Sequence, residues 1–251
     1  MQAVILSAGR GSRLLPLTTD LPKCLLPIGL TTVLGMQLDT LFKHGIEKVT
    51  VVTGFNAHLV EEEINSRQTG PEVEILYNPF FQVADNLASC WMARESMRSD
   101  FLLINGDTLF SPALLEKVLA APMQPLTVTI DKKDQYDGDD MKVTLEGDSL
   151  MSIGKTLTPQ QTQGESIGML RFMGEGTTTF TDELERRMRE PDGTKSWFLS
   201  AIDHLAKDGV PIGTTTIKGS TWAELDTPED YEICRSLFGD SEMARKRFAV
   251  V

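Results

Sequence analysis

The stretch LSAGRGSRLLPLTTDLPKCLLPI, residues 6–28, holds the residue types best suited to handling a polyphosphate. Gly9 and Gly11 remove side chains where backbone amides can approach an anion, and Ser12 and Arg13 add a hydroxyl and a charge-assisted donor. Lys23, stiffened by the neighbouring Pro22, places a compact cation that could neutralise charge on a phosphate under attack or on departing pyrophosphate. Gly-x-Gly after a strand can also be a plain tight turn. Leu14 stands where a dinucleotide-binding loop wants its third glycine, and the Gly-Lys-Ser/Thr of a P-loop is absent.

Two further segments carry carboxylates with metal-ligand character. Asn105-Gly106-Asp107 follows an apolar strand, which puts Asp107 at the carboxyl end of a sheet strand, the usual ligand edge of such sheets. Far downstream, Trp222-Ala-Glu-Leu-Asp-Thr-Pro places Glu224 and Asp226 on one face of a strand, before a helix opened by Thr227 and Pro228. Hard oxygen ligands with few protein contacts suit Mg²⁺, which keeps waters and binds substrate phosphates, so Asp107 and Asp226 are the candidate metal ligands. Taken singly, Asp107 reads as a turn residue and Asp226 as a helix cap.

Ala8-Gly-x-Gly-Ser-Arg-Leu14, with Pro16, Thr18, Pro22, Lys23, Leu26 and Pro27, resembles the signature of the nucleoside-triphosphate transferases that activate sugar phosphates and phosphocholine. The resemblance implies that the glycine loop and Arg13 hold the triphosphate and that Lys23 contacts the phosphates. It also implies that Asp107 and the Asp of the Trp-x-Glu-x-Asp-Thr segment, Asp226, hold magnesium, and it extends from Met1 to about Tyr231. Ser7, Ala8 and Gly106 are counted with the nucleotide site. The segment NPFFQVADNLAS, residues 78–89, is similar to one that meets the base in phosphocholine-type cytidylyltransferases, and Asn86 and Ser89 are the candidates there. Asn86 is also a natural helix cap.

By the same resemblance, Lys155 approaches the acceptor phosphate and Glu165 is a nearby acceptor contact, with Glu224 counted among the acceptor residues. Lys142, on a strand of alternating charge, ranks behind Lys155. An ammonium on the acceptor would call for aromatic faces and acids, which Tyr136, Trp197 and Trp222 with Asp139 or Asp140 could supply. Trp91 belongs with core packing, and His44, His58 and His204 receive no chemistry. The reaction implied is attack by a phosphate or phosphonate oxygen on the α-phosphorus of CTP, with pyrophosphate leaving and Lys23, Arg13 and Lys155 compensating charge. A sugar-1-phosphate nucleotidyltransferase using UTP, dTTP or GTP, and a catalytically silent nucleotide-binding regulator, remain as alternatives.

These residues need a scaffold that gathers them. Apolar runs at 2–7, 48–53 and 101–105 alternate with helical patterns at 34–44, 57–67 and 86–97, which predicts an α/β, doubly wound, mostly parallel, Rossmann-like sheet. After Pro125 come short strand-like segments at 126–131, 141–145, 150–155 and 166–172, expected as a small antiparallel addition. Helices near 177–189 and 197–207, a strand near 211–217 and a helix from Pro228 complete the pattern. The expectation is one nucleotidyltransferase domain, with 1–125 as a nucleotide-binding half, 126–231 as an acceptor-binding half and 232–251 as a C-terminal helix and tail.

The bulk composition fits this reading. The 251 residues are 41% hydrophobic, enough for a large core, and the net charge of −12 argues against a nucleic-acid surface. Cys24, Cys90 and Cys234 are widely spaced and form no CxxC pair, which disfavours a zinc site or disulfide framework. No basic leader precedes the first apolar run, and no segment approaches the roughly 18 apolar residues of a membrane span. The expectation is a cytoplasmic protein, monomer or homodimer, with CTP, Mg²⁺ and a small phosphorylated or phosphonate acceptor as its ligands and no membrane or nucleic-acid partner.

Overall fold

A computed structural model describes residues 1–239. The strands are β1 Gln2–Ser7, β2 Pro27–Ile28, β3 Thr31–Thr32, β4 Lys48–Thr53, β5 Glu72–Tyr77, β6 Phe101–Asn105, β7 Thr108–Phe110, β8 Leu126–Asp131, β9 Lys142–Glu146, β10 Ser149–Gly154, β11 Gly164–Phe172, β12 Gly213–Thr216 and β13 Trp222–Glu224. The helices are α1 Val33–Lys43, α2 Ala57–Ser66, α3 Asn86–Met92, α4 Pro112–Ala120, α5 Glu175–Met188, α6 Leu199–Lys207 and α7 Pro228–Phe238. Nine strands form one sheet in the order β5-β4-β1-β6-β11-β8-β12-β10-β9. Strands β1 and β6 are almost wholly apolar and buried because helices cover both faces of their part of the sheet.

The expectation of a mostly parallel sheet with a small antiparallel addition needs correction, since the sheet is mixed. Strands β5, β4, β1 and β6 are parallel, as the alternation predicted. Strand β11 then runs antiparallel to both β6 and β8, and β9 with β10 forms an antiparallel hairpin. The physical reason is that β11 is buried along its whole length and hydrogen-bonds on both edges. The later strands therefore continue the central sheet.

Strand β5 has no counterpart in the sequence-based reading. It is an edge strand with Glu72 and Glu74 exposed, so it lacks the continuous apolar run of its neighbours. The pattern at 86–97 resolves into α3 followed by a 3-10 turn at Ala93–Met97. Helix starts follow their local chemistry: the Thr32 hydroxyl accepts from Gly35 N–H, Ser111 caps α4 with Pro112 behind it, and Thr227 with Asp230 forms a capping box on α7. Of the predicted 232–251 segment, α7 reaches Phe238, and residues 240–251 lie outside the described part. Among the described residues no helix is long and apolar enough to cross a membrane, and Cys24, Cys90 and Cys234 are free and buried.

A buried cation fastens the central strand β11 to the end of α4. Arg171 on β11 is 2% exposed, and its guanidinium donates to the carbonyls of Val118, Leu119, Ala121 and Pro122 at the end of α4, at 2.5–3.0 Å. These are carbonyls that a helix terminus leaves without partners. Arg171→Met is expected to destabilise the fold by about 3 kcal/mol, because it strands several buried acceptors at once. Chemical denaturation would show a lower midpoint at unchanged slope; an unmoved midpoint would refute the assignment.

Candidate active site

The glycine loop follows β1, and Asp107 follows β6, so two adjacent parallel strands deliver both to the same carboxyl-terminal edge. Nothing lies within 4 Å of the position a Cβ would take on Gly9, which leaves that stretch of loop open. Gly11 adopts the left-handed region at φ 71°, and a Cβ there would lie 3.0 Å from Lys23 Cβ. The Lys23 stem thus packs under the loop, anchored by the buried Cys24 and Leu25 in the 3-10 turn Lys23–Leu25.

Asp226 reaches Asp107 through a short antiparallel ribbon. Strand β13 pairs with β7 so that Glu224 faces Thr108, and Leu225 N–H donates to the Asp107 carbonyl at 3.0 Å. The residue after β13 therefore sits beside the residue before β7. Ligand oxygens of Asp107, Glu224 and Asp226 all lie within 4.8 Å of one another. Lys23 Nζ is 2.6 Å from Asp107 Oδ2 and 2.6 Å from Asp226 Oδ1. Arg13 contacts Asp226 Oδ2 at 2.7 Å and Asp139 at 3.2 Å.

The electrostatics follow from this crowding. Burial favours the neutral amine at Lys23, but Asp107 and Asp226 outweigh it and hold the ammonium above its usual range. Burial likewise opposes ionisation of Asp226, yet Lys23 and Arg13 keep its carboxyl below the usual range. Glu224 faces the cleft, and enclosure by protein together with the charges of Asp107 and Asp226 pushes it well above the ordinary carboxylate range. Asp107 Oδ1 is buried without a hydrogen-bond partner. Three convergent carboxylates, one with an unsatisfied oxygen, fit a hard divalent cation such as Mg²⁺. The geometry thus groups Glu224 with the metal-type carboxylates, although the sequence reading counted it with the acceptor.

Gln37, absent from that reading, supports Asp107. Its side chain is 2% exposed on α1 and donates to the carbonyls of Asn105 at 2.9 Å and Thr108 at 2.8 Å, which clamps the turn that presents Asp107. A polar residue within the apolar run Val33–Leu38 was the available signal. Ser7 and Gly106 serve packing: a Cβ on Gly106 would lie 2.3 Å from Ser7 Oγ, and Gly106 N–H donates to the Leu6 carbonyl at 2.9 Å. Neither lines the cleft, whereas Ala8, Gly9, Gly11, Ser12, Arg13 and Lys23 do.

The cleft beside this centre has a volume of about 380 Å³. Asn86 and Ser89 line it, both already engaged: Asn86 Oδ1 accepts from Phe198 N–H at 2.9 Å, and Ser89 Oγ accepts from Asn78 Nδ2 at 2.9 Å. Lys155 also lines it, with Nζ 4.6 Å from the centroid of Trp197, and Asp139, Asp140 and Glu165 belong to the same lining. Lys142 is 5% exposed and donates to the Lys155 carbonyl at 3.1 Å, so it lies behind Lys155 instead of on a solvated strand face.

Lys133, which the sequence reading did not single out, bridges Glu165 at 2.8 Å and Asp140 at 3.0 Å. Burial pushes Glu165 up to about 7 despite this cation. For Asp140, burial acts the same way, but Lys133 and the Asp137 N–H hold it below the usual range. Tyr136 does not line the cleft; its hydroxyl accepts from Lys133 N–H at 3.3 Å. Trp222 and Trp91 donate to Asp131 and Glu185, at 2.7 and 2.6 Å, and none of His44, His58 and His204 lines the cleft.

The sequence profile of the family described as nucleotidyl transferase matches residues 2–138. The chain is 29% identical over 242 residues to the CMP-5'-(3-aminopropyl)phosphonate synthase of Streptomyces rubellomurinus, covering 92% of this chain and 37% of that longer protein. It is 32% identical over 242 residues to the UTP–glucose-1-phosphate uridylyltransferase AglF of Haloferax volcanii, covering 92% of this chain and 93% of that protein. The solved inositol-1-phosphate CTP transferase from T. maritima superimposes with a TM-score of 0.80 at 19% identity, over 96% of each chain. The profile covers more than half of the chain and includes the loop, Lys23 and Asp107, and on that ground the chain belongs to the nucleotidyl transferase family.

Proposed function

We propose that the chain transfers CMP from CTP to the phosphate or phosphonate oxygen of a small acceptor and releases pyrophosphate. The observation that carries this reading is the convergence of Lys23 and Arg13 on the carboxylates of Asp107 and Asp226 beside an open glycine loop. A new oxygen–phosphorus bond forms at the α-phosphorus as the bond to pyrophosphate breaks. Mg²⁺ held by Asp107 and Asp226, with Glu224 alongside, would supply positive charge to the phosphates. Arg13 and the loop amides orient the triphosphate, and Lys23 and Lys155 offset charge on the leaving group and the acceptor. The rate gain comes from positioning and electrostatic stabilisation, with no protein base required. In this reading residues 1–125 serve chiefly the nucleotide and 126–231 the acceptor.

CTP and a phosphonate acceptor are supported by the name of the Streptomyces relative; the Haloferax relative supports the rival pairing of UTP with a sugar-1-phosphate. The wall of Asp139, Asp140 and Glu165 favours the first, because acids suit a cationic acceptor tail. The aromatic faces and the acids alike carry cations of the chain itself, Lys155 on Trp197, Lys133 at 5.9 Å from Tyr136 and on Asp140 and Glu165, and Arg13 on Asp139, so an acceptor ammonium would exchange with these. Incubation with CTP, Mg²⁺ and 2-aminoethylphosphonate should give a pair of coupled phosphorus resonances from a phosphonate–phosphate anhydride. A product formed only from UTP and a hexose-1-phosphate would establish the rival.

Glu165 gives this reading a pH signature. With its carboxyl raised to about 7, lowering the pH through that value protonates it and removes the negative charge that an ammonium tail needs. KM for an aminated acceptor should therefore rise below about pH 7, beyond the change caused by the acceptor's own ionisation. Glu165→Gln should raise KM for that acceptor by about tenfold near pH 8, with kcat little altered, and should flatten this part of the profile. An unchanged KM profile in the variant would remove Glu165 from the acceptor site.

A further inference from the structure

Lys23 is paired with both of the carboxylates, Asp107 and Asp226, that would hold the metal ion. Its ammonium is 2.6 Å from one oxygen of each carboxylate, and the two acids are joined through it. A compact cation between two carboxylates relieves part of the repulsion that a divalent ion, with twice the charge, would relieve more fully. The position is well defined, because the turn at Lys23–Leu25 is anchored by buried Cys24 and Leu25 and the stem runs beneath Gly11. The same stem lies along the loop that faces the cleft, with Lys23 Cβ, Cγ and Cδ all within 3.4 Å of the position a Cβ on Gly11 would take. Arg13 holds the second oxygen of Asp226 at 2.7 Å, so both cations that would face a triphosphate are occupied with carboxylates of the metal site.

We propose that this site, on the reading that it holds the catalytic divalent ion, admits the ion only as the chelate of a polyphosphate. A free hydrated ion that takes the oxygens now on Lys23 leaves that ammonium, mostly enclosed, without an anionic partner. A metal–triphosphate chelate brings phosphate oxygens with it, and these take over Lys23 and Arg13 as the ion takes over Asp107 and Asp226. Metal and nucleotide are then positively coupled, each strengthening the binding of the other by the same factor. Lys23 is the gate residue, distinct from its later role beside the phosphates.

Binding of free Mn²⁺, followed by the paramagnetic resonance of the unbound aquo ion without nucleotide, tests this on the whole chain. Wild type should bind the free ion weakly, and Lys23→Met should bind it at least about tenfold more tightly, within the range of ordinary coupling energies. Lys23→Met combined with Asp226→Asn should lose the gain. In thermal unfolding, Mn²⁺ alone should raise the midpoint of Lys23→Met much more than that of wild type. Lys23→Gln provides a second variant, and a cooperative unfolding transition qualifies each protein. Equal affinity in wild type and Lys23→Met, lost in both on adding Asp226→Asn, would overturn the gate while leaving the metal site in place. Tight binding that survives Asp226→Asn would overturn the metal assignment as well.

Discussion

Asp107→Asn is expected to lower kcat by about 10³-fold while the protein stays folded. The side chain contributes little to the core: it sits in a turn at the sheet edge, with one oxygen on Lys23 and the other unpartnered. Its backbone is fixed independently by Gln37 and by the β7–β13 ribbon. The substitution removes one anion from a cluster that holds Glu224 and Asp226 close by, so the lost contact with Lys23 is offset by relieved repulsion. Thermal unfolding should shift by only a few degrees, the scale of about 1 kcal/mol in a domain of this size. Loss of activity and of thermal stability in equal measure would mean that Asp107 is a structural residue.

Lys23→Met should also cost about 10²–10³-fold in kcat, with a different accompanying pattern. The ammonium is the cation nearest both carboxylates, and in the proposed reaction it moves to the phosphates, where charge grows as pyrophosphate departs. KM for CTP should rise, because the triphosphate loses a partner, while less divalent ion should be needed for half-maximal rate. Asp107→Asn should instead raise the metal requirement. Steady-state kinetics with metal and nucleotide varied together separates the two variants, and identical metal dependences would contradict the distinct roles given to them.

Much of this site could be read from residue order alone, for reasons that differ by element. Strands β1 and β6 are largely apolar and β4 is rich in valine and threonine because all three are buried on both faces, which makes them and the loops after them legible. Edge strand β5 and the three-residue strands β7 and β13 carry little apolar pattern, and the contact between Asp107 and Asp226 depends on the last two. That contact joins residues more than a hundred positions apart, which periodicity does not encode. Gln37 and Lys133 were missed because their roles depend on what they face: a turn carbonyl pair and two acids from other elements. Tyr136, named for its aromatic face, and Gly106, counted with the nucleotide site beside Asp107, have internal partners in the structure.

The most direct test of the central claim is magnesium-dependent release of pyrophosphate, with each common nucleoside triphosphate crossed against small phosphates, phosphonates and sugar-1-phosphates. The account predicts release with CTP and an aminated phosphate or phosphonate, abolished by Asp107→Asn. Release with UTP and a sugar-1-phosphate alone would contradict it.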